Sequence, residues 1–320
     1  MPPSPSPSPA SSIQTAGIVG SGVIGASWSA LFLASGHDVI NFDPDPDNAQ
    51  KTNTYIAQAW KSLDELGLIT DKASPSRIRY VDTAADAVKG ADFIQESVPE
   101  RLDIKLKTYQ EIEPALGDGA IVATSSSGLL LKDMQQGWSD PSRFILGHPF
   151  NPPHLIPLVE LLGNDQTADG VLDTAAAFYK SCGKETIRVL KEVSAHVANR
   201  LQAALWRESI SLVAQGVASV EDVDKAVTAG PGLRWSVMGP HMLFSLGSGG
   251  GGIDTFCERF GPSFKTWWAS MDTPDLTPEV IAMLKDGITE EEAGRDFETI
   301  AAERDAKLIA AQKAFKGLKM

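Results

Sequence analysis

Cysteine is nearly absent from this sequence: of 320 residues, only Cys182 and Cys257 carry a thiol. Two cysteines this far apart, in no metal-type spacing, exclude a disulfide-stapled scaffold and a thiolate metal site; free thiols in a reducing compartment are expected, and no metal. Basic residues also run short, 28 Lys and Arg against 41 Asp and Glu, for a net charge of -13. Such a surface repels nucleic acid and anionic membranes, so neither is an expected partner. No apolar run approaches the roughly 20 residues needed to span a bilayer. The opening MPPSPSPSPASS has no basic residue. It therefore lacks the charged and apolar regions of a signal peptide and the arginines of a mitochondrial presequence. Its Pro/Ser composition is that of a disordered tail. Leu318-Lys319-Met320 is a degenerate peroxisomal signal, and the cytoplasm is the expected location.

What is present is a chain that is 42% hydrophobic, long enough for a large core and about two domains. Past the tail, strands and helices alternate. Strands are expected at 17–20, 39–42, 78–81, 93–94, 121–124, 144–146, 158–162 and 186–189, and helices at 23–35, about 45–66 and about 104–116. This is the pattern of an open, mostly parallel, doubly wound α/β sheet with helices on both faces. From about residue 196 the strands vanish and a helical period persists at 197–213, 220–227, 278–284 and 295–315. The expected organisation is a tail over 1–12, a Rossmann-type α/β domain over 13–193 and an all-α domain over 194–320. The tract 247–252 reads as a local Gly/Ser loop.

Gly20-Ser21-Gly22-Val23-Ile24-Gly25 matches G-x-G-x-x-G and sits between a strand and a helix. In that context Gly20 permits a tight turn, Gly22 lets the backbone approach a pyrophosphate, and Gly25 lets helix and strand pack closely. The free N–H groups of Val23 and Ile24 at the helix start complete a phosphate cradle. Asp43 follows at the end of the second strand, close to the interval at which an acidic residue meets the adenosine ribose. Its carboxylate accepts ribose hydroxyls and repels a 2′-phosphate, which favours NAD over NADP. Asp45 and Asp47 compete for this role.

Oxidation of an alcohol by a nicotinamide needs a base for the hydroxyl proton, and histidine suits neutral pH. Of five histidines, His37 is expected to be structural. His148 ends a strand inside Gly147-His148-Pro149-Phe150-Asn151-Pro152-Pro153, where a strand end points into the cofactor crevice. Glu160 lies twelve residues on, near another strand. A carboxylate behind a histidine fixes its tautomer and stabilises the imidazolium that forms. Ser125, Ser126 and Ser127 end a further strand and offer hydroxyls; Asn199 offers an amide. These residue types do not by themselves assemble a site.

GHPFNPPHLIPLVEL at 147–161, together with AHVANRL at 195–201, resembles the 3-hydroxyacyl-CoA dehydrogenase superfamily across nearly the whole chain past the tail. The resemblance implies that His148 is the general base and Glu160 its partner, with Ser127 and Asn199 around the reacting oxygen. It implies that Glu100 and Lys105 lie near the nicotinamide ribose, and that the helical domain forms a homodimer. The expected activity is NAD-dependent oxidation of the 3-hydroxyl of a small hydroxy acid.

Within that superfamily, acyl-CoA members carry a long Lys-rich helical excursion after the second strand. Here residues 47–79 form a short stretch with lysines only at 51, 61 and 72. With the acidic pI, this favours a free acid over a short-chain acyl-CoA. A crystallin-like protein without turnover is the alternative of another class, and the intact Ser127, His148, Glu160 and Asn199 set argues against it. Gly230 to Pro240 resembles the carnitine branch more than the gulonate branch. Arg234 there suits a carboxylate clamp. Trp235, with Phe244, Phe256, Trp267 and Trp268, offers aromatic faces for a quaternary ammonium. The chain departs from the carnitine branch at Ser245 and Gly250, where that branch has a His and a Glu.

Overall fold

The computed structural model describes residues 13–317; the Pro/Ser tail and the last three residues lie outside the described residues. The chain divides into two compact units, 1–199 and 200–320, against the expected division at 193/194.

The first unit is built on an eight-stranded sheet. Its strands are β1 (Thr15–Val19), β2 (Asp38–Phe42), β3 (Ile78–Tyr80), β4 (Phe93–Glu96), β5 (Ile121–Thr124), β6 (Phe144–Pro149), β7 (Leu158–Leu162) and β8 (Glu185–Arg188). The order across the sheet is β3-β2-β1-β4-β5-β6-β7-β8. Pairing is parallel except between β6 and β7. The strand order reverses between β1 and β4, which opens a crevice at the carboxyl ends of these strands, where such sheets bind ligands.

Strand centres are buried on both faces, as a covered parallel sheet requires: Ile18, Val19, Phe93 and Ile94 are all inaccessible. Helix α1 (Val23–Ala34) is buried from Gly25 to Ala34. A helix apolar on all sides belongs in an interior. Trp28 stacks on Phe32, and Phe32 meets Phe178. Phe178 and Tyr179 belong to a helix the periodicity did not mark, Val171–Ser181, between β7 and β8. Helices α2 (Asn48–Leu66), α3 (Ala84–Val88), α4 (Leu102–Ile112) and α5 (Leu131–Met134) complete the unit with that helix, α6. At its end begins α7 (Ala198–Ala214).

The second unit is helical: the rest of α7, then α8 (Val220–Ala229), α9 (Pro231–Val237), α10 (Pro240–Leu246), α11 (Gly252–Ser270), α12 (Pro278–Glu292) and α13 (Phe297–Phe315). Helices α9, α10 and α11 were absent from the sequence reading, and α12 runs two turns past the expected end at 284. Proline opens α9, α10 and α12 at the first helical position, where its missing N–H costs nothing.

Candidate active site

β6 runs parallel to β5, so its end lies at the sheet edge that also carries the glycine loop after β1. β7 returns antiparallel, and the register sets Glu160 directly opposite His148. Opposed residues share a face of the sheet. His148 Nδ1 lies 2.7 Å from Glu160 Oε2, and both side chains are buried. A carboxylate only accepts, so Nδ1 carries a proton and a neutral ring keeps its lone pair on Nε2. The other carboxylate oxygen accepts the backbone N–H groups of Val197 and Ala198, each at 2.9 Å. These are orphan donors at the start of α7, where a negative charge also meets the helix dipole. Burial alone would raise the Glu160 pKa. The bonds from His148, Ala198 and Val197 more than offset it and hold the carboxyl below its ordinary range.

The three serines after β5 have different surroundings. The Ser125 hydroxyl is bonded to Gln95 and Ser97, both at 2.8 Å. Ser126 is buried and donates its hydroxyl to Glu100 Oε1 at 2.7 Å. That oxygen also accepts the N–H groups of Ser127, Gly128 and Leu129. Burial pushes the Glu100 pKa up, but the Ser126 hydroxyl, the loop N–H groups and the Lys105 charge bring it below normal. Ser127 is exposed, and its hydroxyl has no bonded partner among the described residues. Lys105 is buried, with its ammonium 2.8 and 3.0 Å from the oxygens of buried Glu96. The Tyr109 hydroxyl donates to the same carboxylate at 2.7 Å. Glu96 Oε1 also accepts the Val98 N–H, which fixes the chain just past β4.

The glycine loop fits a dinucleotide pyrophosphate. Gly20 has φ +89°, and a Cβ there would meet the backbone of Ser97 and Val98 at 2.7 Å. A Cβ on Gly25 would lie 1.9 Å from the Gly20 carbonyl, whereas one on Gly22 would meet nothing within 4 Å. Gly22 caps α1 without a side-chain bond, and no acidic residue sits in the first turn. Among the described residues, the N–H groups at the start of α1 therefore have no anionic partner, which suits an incoming phosphate. Asp43 Oδ2 accepts the Ser21 N–H at 2.7 Å, and Oδ1 accepts the Asp45 N–H. Of the three acidic candidates Asp43 is thus the one bonded to the loop; Asp45 pairs with Lys51. Ser21, Gly22, Asp43, Asn48, Lys51 and Tyr55 help line a pocket of about 260 Å³.

In the second unit, Arg234 and Trp235 are exposed on α9. Phe244 stacks on Phe256, and Trp267 and Trp268 meet Phe264. Gly250 has φ +102°, a backbone state that favours glycine. A glutamate at this position would strain that turn.

Comparison with known proteins assigns the chain. Residues 15–193 match the 3-hydroxyacyl-CoA dehydrogenase NAD-binding domain, and 196–291 match the C-terminal domain of the same enzymes. The chain belongs to the 3-hydroxyacyl-CoA dehydrogenase family. It is an NAD-dependent dehydrogenase acting on a CH–OH group. A protein named L-carnitine dehydrogenase from Nocardiopsis dassonvillei is 42% identical over 95% of this chain and 92% of its own length. Another of that name, from Streptomyces griseus, is 44% identical over 92% of this chain and 88% of its own. Among solved structures, an NAD-dependent 5-formyl-3-hydroxy-2-methylpyridine-4-carboxylic acid 5-dehydrogenase aligns with TM-score 0.81 at 29% identity, over 96% of this chain and all of that one.

For a member of this family, the expected residues of the first unit lie on a circuit of contacts in two halves, one from His148 toward Asn199 and one from Glu100 to Ser127. His148 bonds Glu160, Glu160 bonds the two N–H groups just before Asn199, and Glu100 bonds the loop that carries Ser127. Sequence reasoning passed over His196, which is buried with its ring centroid 5.2 Å from that of His148. Its adjacency to Asn199 in the chain was the available signal. The Glu96–Lys105 pair was also missed, since a lone lysine gives no hint of a buried partner nine residues earlier.

Proposed function

We propose that the protein oxidises the 3-hydroxyl of L-carnitine to the 3-keto acid, with His148 as general base. The observation that carries the chemistry is the buried His148–Glu160 pair, bonded at 2.7 Å with Nδ1 committed to the carboxylate. His148 Nε2 takes the hydroxyl proton as the C3–H bond breaks and the carbonyl forms. Glu160 stabilises the imidazolium, a preorganised electrostatic effect. Ser127 and Asn199 hold the developing carbonyl oxygen, and their side chains have no competing bonds among the described residues. NAD supplies the hydride acceptor when bound, held by Gly20, Gly22, Val23, Ile24, Gly25 and Asp43, with Glu100 toward the nicotinamide end; Lys105, buried against Glu96, braces the end of β4 instead of reaching the ribose.

The names of the two bacterial relatives at over 40% identity support carnitine. Arg234 is the proposed clamp for the substrate carboxylate, and Trp235 offers an aromatic face to the trimethylammonium group. The test is NADH formation at 340 nm on L-carnitine, L-gulonate, L-3-hydroxybutyrate and its CoA thioester. L-Carnitine is expected to give the highest kcat/KM. A dominant rate with the thioester or an uncharged acid would refute the substrate while leaving the dehydrogenase.

A homodimer in the cytoplasm is part of the proposal. Both cysteines are free. Leu201 and Trp206 on α7 and Trp267 and Trp268 on α11 are each more than half exposed, an apolar surface suited to a second copy. Light scattering at micromolar concentration is expected to read about twice the 34.1 kDa chain mass; a monomeric mass would remove the dimer.

A further inference from the structure

His196 stands between the two halves of the circuit. Ala195 and His196 have φ of +64° and +52°, left-handed values that non-glycine residues adopt at a cost. They immediately precede Val197 and Ala198, whose N–H groups bind Glu160. The His196 side chain is 1% exposed, and its Nε2 lies 3.1 Å from the Ser126 carbonyl oxygen. A carbonyl only accepts, so Nε2 carries the proton and donates. The Nδ1 is buried with no partner among the described residues. A phenylalanine would fill the same space without leaving an acceptor unmet. What histidine adds is the N–H to Ser126, the residue before Ser127. The two imidazole rings pack at 5.2 Å and 53°.

We propose that His196 is a positioning residue for the dehydrogenation: its Nε2–H pins the Ser126 peptide while its ring packs on His148, so that the Ser127 hydroxyl and the base share one fixed arrangement. The inference rests on His148 acting as the base. Burial is the main reason the His196 pKa falls below its ordinary value; the His148 charge lowers it further, against the Ser126 bond and the charges of Glu160 and Glu100. The neutral ring is thereby favoured, and it already carries the Nε2–H that meets the Ser126 carbonyl.

The experiment combines H196F, H196Q and an H148N control with histidine ¹⁵N NMR on the wild-type enzyme. H196F keeps a ring but loses the donor; it is expected to lower kcat about tenfold to a hundredfold, because small misplacements of reacting groups are costly. NAD affinity is expected to stay within about twofold. H196Q places an amide N–H within similar reach and is expected to recover most of kcat, which a purely space-filling role would not allow. In the wild-type spectrum His196 is expected as the neutral Nε2–H tautomer between about pH 6 and 8, a range around the ordinary histidine pKa. Wild-type kcat and KM in H196F, no recovery in H196Q, or an Nδ1–H tautomer would each overturn the proposal. If H196F does not fold, as judged by lost NAD binding, the wild-type tautomer decides alone. An H148N enzyme as active as wild type would remove the base assignment instead, a result separable from failure at His196.

Discussion

At the residue scale, three adjacent serines share one chemistry and differ only in what they touch. Ser126 donates to Glu100 from a buried position, so S126A leaves that carboxylate short of a donor and is expected to cost about 1–3 kcal/mol of stability. Ser127 is exposed, with a hydroxyl uncommitted among the described residues, so S127A is expected to leave Tm unchanged while lowering kcat about tenfold or more through lost orientation of the carbonyl oxygen. Thermal melts and steady-state rates on the two variants separate the roles; equal kcat in S127A and wild type would remove Ser127 from the site. The candidates His148 and Glu160 were legible because their residue types and strand positions suit acid–base work. Their direct opposition was not, because the register of two strands depends on packing along both. Among the serines, Ser127 came from the family resemblance and not from residue type, and the different surroundings of the three depend on Glu100, 27 residues from Ser127. Lys105 shows the same limit: its ammonium is turned inward to Glu96.

At the element scale, the turn from β1 into α1 separates two uses of glycine. Gly25 is required by the fold, because an added methyl would sit 1.9 Å from the Gly20 carbonyl. G25A is expected to lower stability by about 1–3 kcal/mol, the range for overpacking a tight site. Gly22 faces open space, so G22A is expected to fold like wild type, with Tm within a degree or two, yet to weaken NAD binding about tenfold or more by obstructing the phosphate approach. Titration of NAD against intrinsic fluorescence and a thermal melt read both; unchanged NAD affinity in G22A would contradict the loop assignment. Beneath the loop, Asn41 donates to Ser21 and Ser29, and Asn48 donates to Asn41, a buried polar network that fixes the loop to β2 and α2. Strands such as β1, β5 and β7 were readable because each is a largely apolar short run bounded by turn residues. Helices α9, α10 and α11 escaped because glycine and proline crowd their ends and break the period, although Pro231 and Pro240 are helix-opening prolines. Helix α6 escaped between two strands despite carrying Phe178 and Tyr179 into the core.

At the scale of the whole molecule, the α/β unit carries the dinucleotide loop and the proposed base His148, and the helical unit carries Arg234, Trp235 and exposed apolar side chains. The division of labour explains why composition alone pointed to an acidic, two-domain protein and motif context to NAD, while the substrate stayed tied to resemblance: neither Arg234 nor the aromatic residues carry a spacing that specifies a ligand. In the proposed reaction His148, set by Glu160, removes the proton from a 3-hydroxy acid as NAD is reduced. The most direct test is kcat for L-carnitine oxidation at saturating NAD in wild type and H148N, with NAD affinity measured on both. Turnover by wild type is expected, with a loss of about 10²–10⁴-fold in H148N and NAD binding unchanged within about twofold. Equal turnover in the two enzymes would contradict His148 as the base.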